Sequence, residues 1–434
     1  MPLTIIIILL VIFFFWGFLS AIYKKFPFSI IRNIYWAFVS KDIPYDKNKK
    51  RISYIIRDVY LTFINKDIPY DKDKGRIAYI KKFYNDKELI NYQEKIVKEK
   101  FNNIKKNSSL IRKKIIDEYI VPNELIHFNQ LEIKNILIKK VHIDARQHQF
   151  QNKPPIGSVL LNVKYYNINH YGILETNKNN KKLLIYHEGH DGNPYNSKSF
   201  LDFKEKFKLK GYDILSLSMS GLGYNMLLNP NYSFPINPDP KRNSNCSFDY
   251  KFHHRELKEH DIYQFYYDKN HPNIMPLSLM LSGNYYLIKK LEDNYDEIIM
   301  MGVSGGGWHT TMFAALLPKI KKSYSFSGTF PKMFKLHKGT RTEWEDTYSK
   351  IYDEYDYWDF YFLSLFDIEN FHNREHNLIF NNKDPYSYND PWATAFKNLL
   401  DLVSIDKLKA IVLDKDKHEI DIKFVEEFIL KNLD

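Results

Sequence analysis

Asp296-Glu297-Ile298-Ile299-Met300-Met301-Gly302-Val303-Ser304-Gly305-Gly306-Gly307-Trp308 is the stretch on which the fold turns. A short apolar run ends in Gly-x-Ser-x-Gly, and a helix-like segment, Trp308 to Leu317, follows at once. Strand, sharp turn, helix is the context of a nucleophile elbow. Such a turn forces Ser304 into a strained backbone and lifts its hydroxyl above the sheet edge. Gly302 and Gly306 flank it because side chains there would collide as strand and helix close on each other.

An elbow serine needs an acid and then a histidine further along the chain. His376-Asn377-Leu378-Ile379-Phe380-Asn381-Asn382-Lys383-Asp384-Pro385 reads as a strand running into a turn, with Asp384 just past the strand. A carboxylate there accepts a hydrogen bond from an imidazole, fixes its tautomer and stabilises the imidazolium. Lys409-Ala410-Ile411-Val412-Leu413 is the next apolar strand, and Asp414-Lys415-Asp416-Lys417-His418-Glu419 follows it. His418 thus falls in the loop between the last strand and the last helix, Ile422 to Leu433, where a general base with a near-neutral pKa belongs.

With Ser304, Asp384 and His418 in that order, the chain resembles the α/β-hydrolase superfamily over Glu118 to Asp434. The resemblance implies an α/β fold, a mostly parallel sheet with helices on both faces. Val159 to Glu175 looks like the antiparallel hairpin that opens the sheet. Lys182 to His187, Tyr212 to Ser218, Ile298 to Val303, Ser323 to Ser327, Leu378 to Asn381 and Ala410 to Leu413 follow as strands. Apolar β runs alternating with helical stretches agree with a sheet covered on both faces. Met219-Ser220-Gly221-Leu222-Gly223 resembles the small-residue turn found at that place in the family.

An oxyanion hole needs two N–H donors aimed at the developing negative oxygen. The resemblance assigns one to Gly305 and the other to the loop His187-Glu188-Gly189-His190-Asp191-Gly192. That loop is similar to the His-Gly loops of lipases and esterases, with Glu188 inserted. Glu188, Gly189 and His190 all remain candidates for the second amide. A metal reading of His187, Glu188 and His190 fails because the trio lies on a Gly-rich loop rather than at helical His-Glu-x-x-His spacing. No cofactor is expected: Gly221-Leu222-Gly223 lacks the third glycine of a dinucleotide fingerprint.

The expected organisation has three parts. Residues 1–25 form a transmembrane anchor, 26–117 a basic, mainly helical juxtamembrane region, and 118–434 the catalytic domain. Leu3 to Tyr23 is almost wholly apolar, and about 20 such residues span a bilayer core. No Lys or Arg precedes it, whereas Lys24, Lys25 and Arg32 follow. This favours an uncleaved anchor with the remainder on the cytoplasmic side; the alternative is secretion after signal-peptide cleavage. The single cysteine, Cys246, excludes an intrachain disulfide and fits a reducing compartment. Within 26–117, Ile34 to Lys47 recurs as Val59 to Lys72, each copy a short amphipathic helix broken before Pro44 or Pro69. Lys87 to Ile116 is a lysine-rich helical stretch, read as a solvated face or, more sharply, as a surface for anionic lipid.

The net charge of +11 arrives with no nucleic-acid motif, so nucleic acid is not an expected partner. Two lid-like insertions are expected, near 225–276 and 330–375. The second carries Trp344, Tyr348, Tyr352, Tyr355, Tyr357, Trp358, Tyr361 and Phe362, which either line an acyl or sugar site or form the insertion's own core. The function implied is a membrane-anchored serine hydrolase, a carboxylic-ester hydrolase acting on a small-molecule ester. The alternatives are a serine peptidase of the prolyl-oligopeptidase kind, or a catalytically silent hydrolase fold used as a binding module.

Overall fold

The computed structural model describes residues 87–121, 134–137, 154–165, 168–177, 179–190, 192–220, 222, 225, 276–331, 351–369, 373–386 and 388–433. The anchor at Leu3 to Tyr23, the duplicated segment and nearly all of the 225–276 insertion lie outside them. The chain divides into two compact units, Met1–Gly75 with Lys241–Ser247, and Arg76–Pro240 with Phe248–Asp434. The second unit is the one described below.

Its centre is a sheet of nine strands among the described residues: β1 (Lys134–Leu137), β2 (Val159–Tyr165), β3 (Ile168–Glu175), β4 (Lys182–His187), β5 (Tyr212–Leu217), β6 (Glu297–Val303), β7 (Ile320–Phe326), β8 (Glu375–Asn381) and β9 (Leu408–Leu413). The spatial order is β1-β2-β3-β5-β4-β6-β7-β8-β9. β1, β2, β3 and β5 pair antiparallel in turn. From β5 through β9 every pairing is parallel. The parallel strands carry unbroken apolar runs such as Leu183-Leu184-Ile185-Tyr186, each residue fully buried. Strands covered on both faces need no polar alternation. β1 is an addition to the strands read from the sequence, and its four residues, Lys-Asn-Ile-Leu, carry too short a pattern to register.

One face is covered by α3 (Pro276–Leu291), α4 (Gly305–Leu316) and α7 (Trp392–Val403), with α6 (Tyr357–Leu363) and α1 (Lys87–Ile115) packed behind. The other face is covered by α2 (Lys198–Leu209) and by the last helical segment, α8 (Ile422–Phe424), continued by the turns Val425–Ile429 and Leu430–Asn432. The short α5 (Ile351–Glu354) precedes α6. α4 is buried on every side. Its one-letter run GGGWHTTMFAAL has no polar face to offer water, as suits a helix held between a sheet and a second helical layer.

The expected boundary at 118 is displaced. The compact unit begins at Arg76, and α1 is an integral part of its core rather than a separate solvated helix. Val97, Ile104 and Ile115 are buried, with Phe101 and Ile111 packed on the same cluster. The Phe101 ring meets Phe362 edge-on at 5.3 Å. Lys100 pairs with Asp359 of α6 at 2.8 Å. Most telling is Arg112, whose guanidinium donates to the carbonyls of Ala315 (2.8 Å), Leu363 (3.1 Å) and Phe366 (2.7 Å). Arg374, fully buried, donates to Ile320 (2.7 Å), Phe366 (2.9 Å) and Leu317 (3.1 Å), and also to Ala314. Two cations therefore satisfy the orphan carbonyls at the ends of α4 and α6, where the helix dipoles favour positive charge. Burial lowers the Arg112 pKa to about 10, which still leaves it charged at neutral pH.

The aromatics of the 330–375 insertion form core. Tyr352, Tyr357, Trp358, Tyr361 and Phe362 are buried in the cluster behind α4. Trp308 Nε1 donates to the hydroxyls of Tyr352 (3.0 Å) and Tyr357 (3.1 Å). Trp344 and Tyr348 lie outside the described residues.

Candidate active site

Ser304 stands between β6 and α4 with φ 58° and ψ −125°. A side chain at positive φ is strained by about 1–3 kcal/mol and persists only where its surroundings over-determine it. Here the Ser304 N–H donates to Phe326 O at 2.9 Å, and its C=O accepts from Trp308 N at 3.0 Å. α4 begins at Gly305, three residues earlier than the sequence suggested. The low helix propensity of glycine hid this start. The glycines are required by close approach: a Cβ on Gly306 would lie 2.0 Å from His187 O, and one on Gly307 2.6 Å from Phe326 O. A Cβ on Gly302 would lie 2.3 Å from Gly306 O.

Asp384 and His418 are brought together. His418 Nδ1 donates to Asp384 Oδ2 at 2.6 Å, and the Asp384 side chain is fully buried while that of His418 is 16% exposed. The carboxylate also accepts from Ser327 Oγ on Oδ2 (3.0 Å) and from Tyr386 N on Oδ1 (2.8 Å). Three donors hold a buried anion in one orientation, which in turn fixes the protonated nitrogen of the imidazole as Nδ1. The ring of Tyr386 meets that of His418 edge-on at 4.8 Å. Ser304 Oγ is not hydrogen-bonded to His418 in this structure. Such nucleophile–base bonds are commonly long until substrate is bound.

The loop after β4 packs directly on the elbow. A Cβ on Gly189 would lie 2.7 Å from Val303 O and 2.9 Å from the Ser304 Cβ. One on Gly305 would lie 2.5 Å from Met219 Sδ and 3.0 Å from the His190 ring. The three candidate oxyanion amides separate here. Glu188 N donates to Leu217 O at 3.0 Å. Gly189 N donates to the Glu188 carboxylate at 3.0 Å, which also takes the Tyr186 hydroxyl at 2.8 Å. The Glu188 and Gly189 amides both donate within the protein, and His190 is the loop position whose ring lies against Gly305.

His187 is a buried structural group. Nδ1 donates to Glu188 O (2.9 Å), so Nε2 accepts from Asn284 Nδ2 (3.1 Å). Its ring stacks on His309 at 3.9 Å. Burial lowers its pKa to about 3 and keeps it neutral. Among the described residues, no group of His, Cys, Asp and Glu is arranged to hold a metal ion.

Sequence reasoning missed Ser327, Tyr386 and Asn381. Ser327 has a positive φ of 46°, which aims its hydroxyl at Asp384, and nothing in Ser-Phe-Ser-Gly signals that. Asn381 donates from Nδ2 to the carbonyls of Lys417 (2.7 Å) and Glu419 (3.1 Å). Its place at a strand end, three residues before the acid, was the only available hint.

No family model matches the chain, and no curated protein matches it. Among solved structures, acetyl xylan esterase 1 from Thermoanaerobacterium sp. JW/SL YS485 is similar at 14% identity, with 76% of this chain and 94% of that chain covered and a TM-score of 0.44. Est1E from Butyrivibrio proteoclasticus is similar at 15% identity, with 63% and 96% covered and a TM-score of 0.39. The Pyrococcus furiosus esterase Pf2001 is similar at 14% identity, with 72% and 95% covered and a TM-score of 0.35. By its own sheet order, its strand–Ser304–helix elbow and its Ser, Asp, His sequence at the strand ends, this chain has the α/β-hydrolase fold.

Proposed function

We propose that the chain is a serine hydrolase that cleaves a carboxylic ester through an acyl-enzyme, and that Leu3 to Tyr23 tethers it to a bilayer. Ser304 Oγ attacks the carbonyl carbon while His418 Nε2 takes its proton. The oxygen that gains charge is met by the N–H of Gly305 and that of His190. Collapse of the tetrahedral species returns the proton from His418 to the departing alkoxide. A water then repeats the sequence on the acyl-Ser304 and frees the acid. Asp384 orients the ring and stabilises the imidazolium in both halves.

The observation that carries the reading is the buried Asp384–His418 bond of 2.6 Å, on the turns that follow β8 and β9. Ester rather than amide reflects the range of the superfamily that the sequence resembles, and fold alone does not choose a substrate. The test therefore carries both. The full-length protein is treated with a fluorophosphonate, and turnover is measured on acyl esters of graded chain length, sugar acetates and an anilide. The expected result is one adduct, mapped to Ser304, with ester turnover reduced by roughly three orders of magnitude or more in His418→Ala. An adduct elsewhere on active protein overturns the assignment. Absence of both labelling and turnover favours a silent binding module, and faster anilide cleavage favours a peptidase.

A further inference from the structure

His418 sits in a segment with little to hold it. Residues 414–417 and 419 are exposed, and 414–420 belong to no helix or strand. A base that must present one ring nitrogen to Asp384 and the other to a nucleophile tolerates little backbone freedom, because misplacement by an ångström costs on the order of 100-fold in rate. Some part of the rigid sheet therefore has to reach this loop.

That part is Asn381, the last residue of β8 and the register partner of Leu413 at the end of β9. Its side chain is buried. The two N–H bonds of Nδ2 are shared between Lys417 O at 2.7 Å and Glu419 O at 3.1 Å, the carbonyls on either side of His418. Its own carbonyl accepts the Asp384 N–H at 3.0 Å. One residue thus holds the backbone of both the acid and the base. The amide has only one useful orientation, since a flip would turn Oδ1 toward two carbonyls. Oδ1 itself is buried without a hydrogen-bond partner. An unmet buried acceptor is unfavourable, and the two bonds donated to the loop are what offset it here.

We propose that Asn381 is a positioning residue that clamps the His418 loop to the sheet and sets the ring's approach to Asp384 and Ser304. The proposal rests on the serine-hydrolase reading for its effect on rate, but its structural content does not. Asn381→Ala removes the clamp. Asn381→Asp keeps the size and, when ionised, cannot donate to either carbonyl. Both should lower kcat on an aryl acetate by about 10–100-fold with KM changed by less than about twofold. Asn382→Ala serves as the control: the side chain of Asn382 bonds only the exposed Asp414, at 3.0 Å, and its loss should leave kcat within about twofold.

The His418 Nδ1 proton, followed by NMR in full-length protein, should exchange faster with water in both Asn381 variants than in wild type. Wild-type kcat in either folded variant, or a loss confined to KM, overturns the proposal. If wild-type protein neither labels at Ser304 nor turns over, the hydrolase reading fails alone, and an unchanged Nδ1 proton in both variants then overturns the clamp. If neither variant folds, the Asn381 Nδ2 protons of the wild type decide the matter. They should be strongly protected from exchange, and rapid exchange overturns the clamp.

Discussion

His170, His187 and His376 are fully buried, and burial lowers each imidazole from 6.5 to about 3. The charge on Arg374 adds to the effect at His376. In the unfolded chain each of these rings takes up a proton near pH 6.5, while the folded protein refuses it until near pH 3. The stability linked to them is therefore fully present above pH 6.5 and drains away as the pH falls through the window between the two values. Each contributes a slope of about 1.4 kcal/mol per pH unit inside that window. Urea unfolding midpoints should be flat from pH 8 to 7 and fall steeply from pH 6 to 4. In His376→Gln, whose amide replaces the bond to Ser323 Oγ, the fall should be shallower by about one proton. A midpoint that holds steady down to pH 5 would contradict this. His170 and His376 do not stand out in sequence, and His187 does so only as the head of the loop after β4, because a histidine within a strand reads the same whether it is core or site. Ser304, Asp384 and His418 were legible because each follows an apolar run at a strand end, a signal carried by neighbours. Asn381 and Ser327 act on residues dozens of positions away, and that pairing exists only once β7, β8 and β9 lie side by side.

Among the elements, α1 departs furthest from its sequence pattern. The stripe Val97, Phe101, Ile104, Ser108, Ile111, Ile115 has helical spacing, but the surrounding lysines outweigh it in composition, so the helix reads as solvated. What fixes it is Arg112, a residue that sequence reasoning counts with the charges. With Arg374 it binds carbonyls at the ends of α4 and α6. Arg374→Met should destabilise the fold by at least about 3 kcal/mol, because several buried carbonyls lose their donors together. Arg112→Met should cost less, since it binds fewer of them. Equilibrium urea unfolding measures both, and a change under about 1 kcal/mol in Arg374→Met would show that the carbonyls find other partners. The parallel strands were readable because runs such as Leu183 to Tyr186 are apolar without alternation. The start of α4 was not, because Gly306 and Gly307 answer to a close approach by His187 O and Phe326 O, and Gly305 to Met219 Sδ, that no local rule anticipates.

For the whole molecule, the displaced boundary makes two truncations differ. Removing residues 1–25 takes away only the proposed anchor and should yield a form that leaves the membrane fraction without detergent and keeps its turnover. Removing residues 1–117 also takes away α1 with Arg112, Val97, Ile104 and Ile115, and should yield aggregated or unfolded protein. Fractionation and thermal melting separate the outcomes. A soluble 118–434 fragment with an unchanged melting temperature would restore the boundary that the sequence suggested. Among the described residues, no helix is long and apolar enough to cross a membrane, and the tether proposed above is Leu3 to Tyr23. The position of Arg112 then has a mechanical consequence. Tension on the proposed tether would reach α1, and one of the bonds it would load is that of Arg112 to Ala315 O, at the far end of α4. The 12 residues of α4 put about 18 Å between that end and Ser304. The turns that carry Asp384 and His418 share none of those bonds. Were the proposed tether pulled, the load borne by Arg112 would fall on the tail of the elbow helix, a helix length away from the geometry at its head.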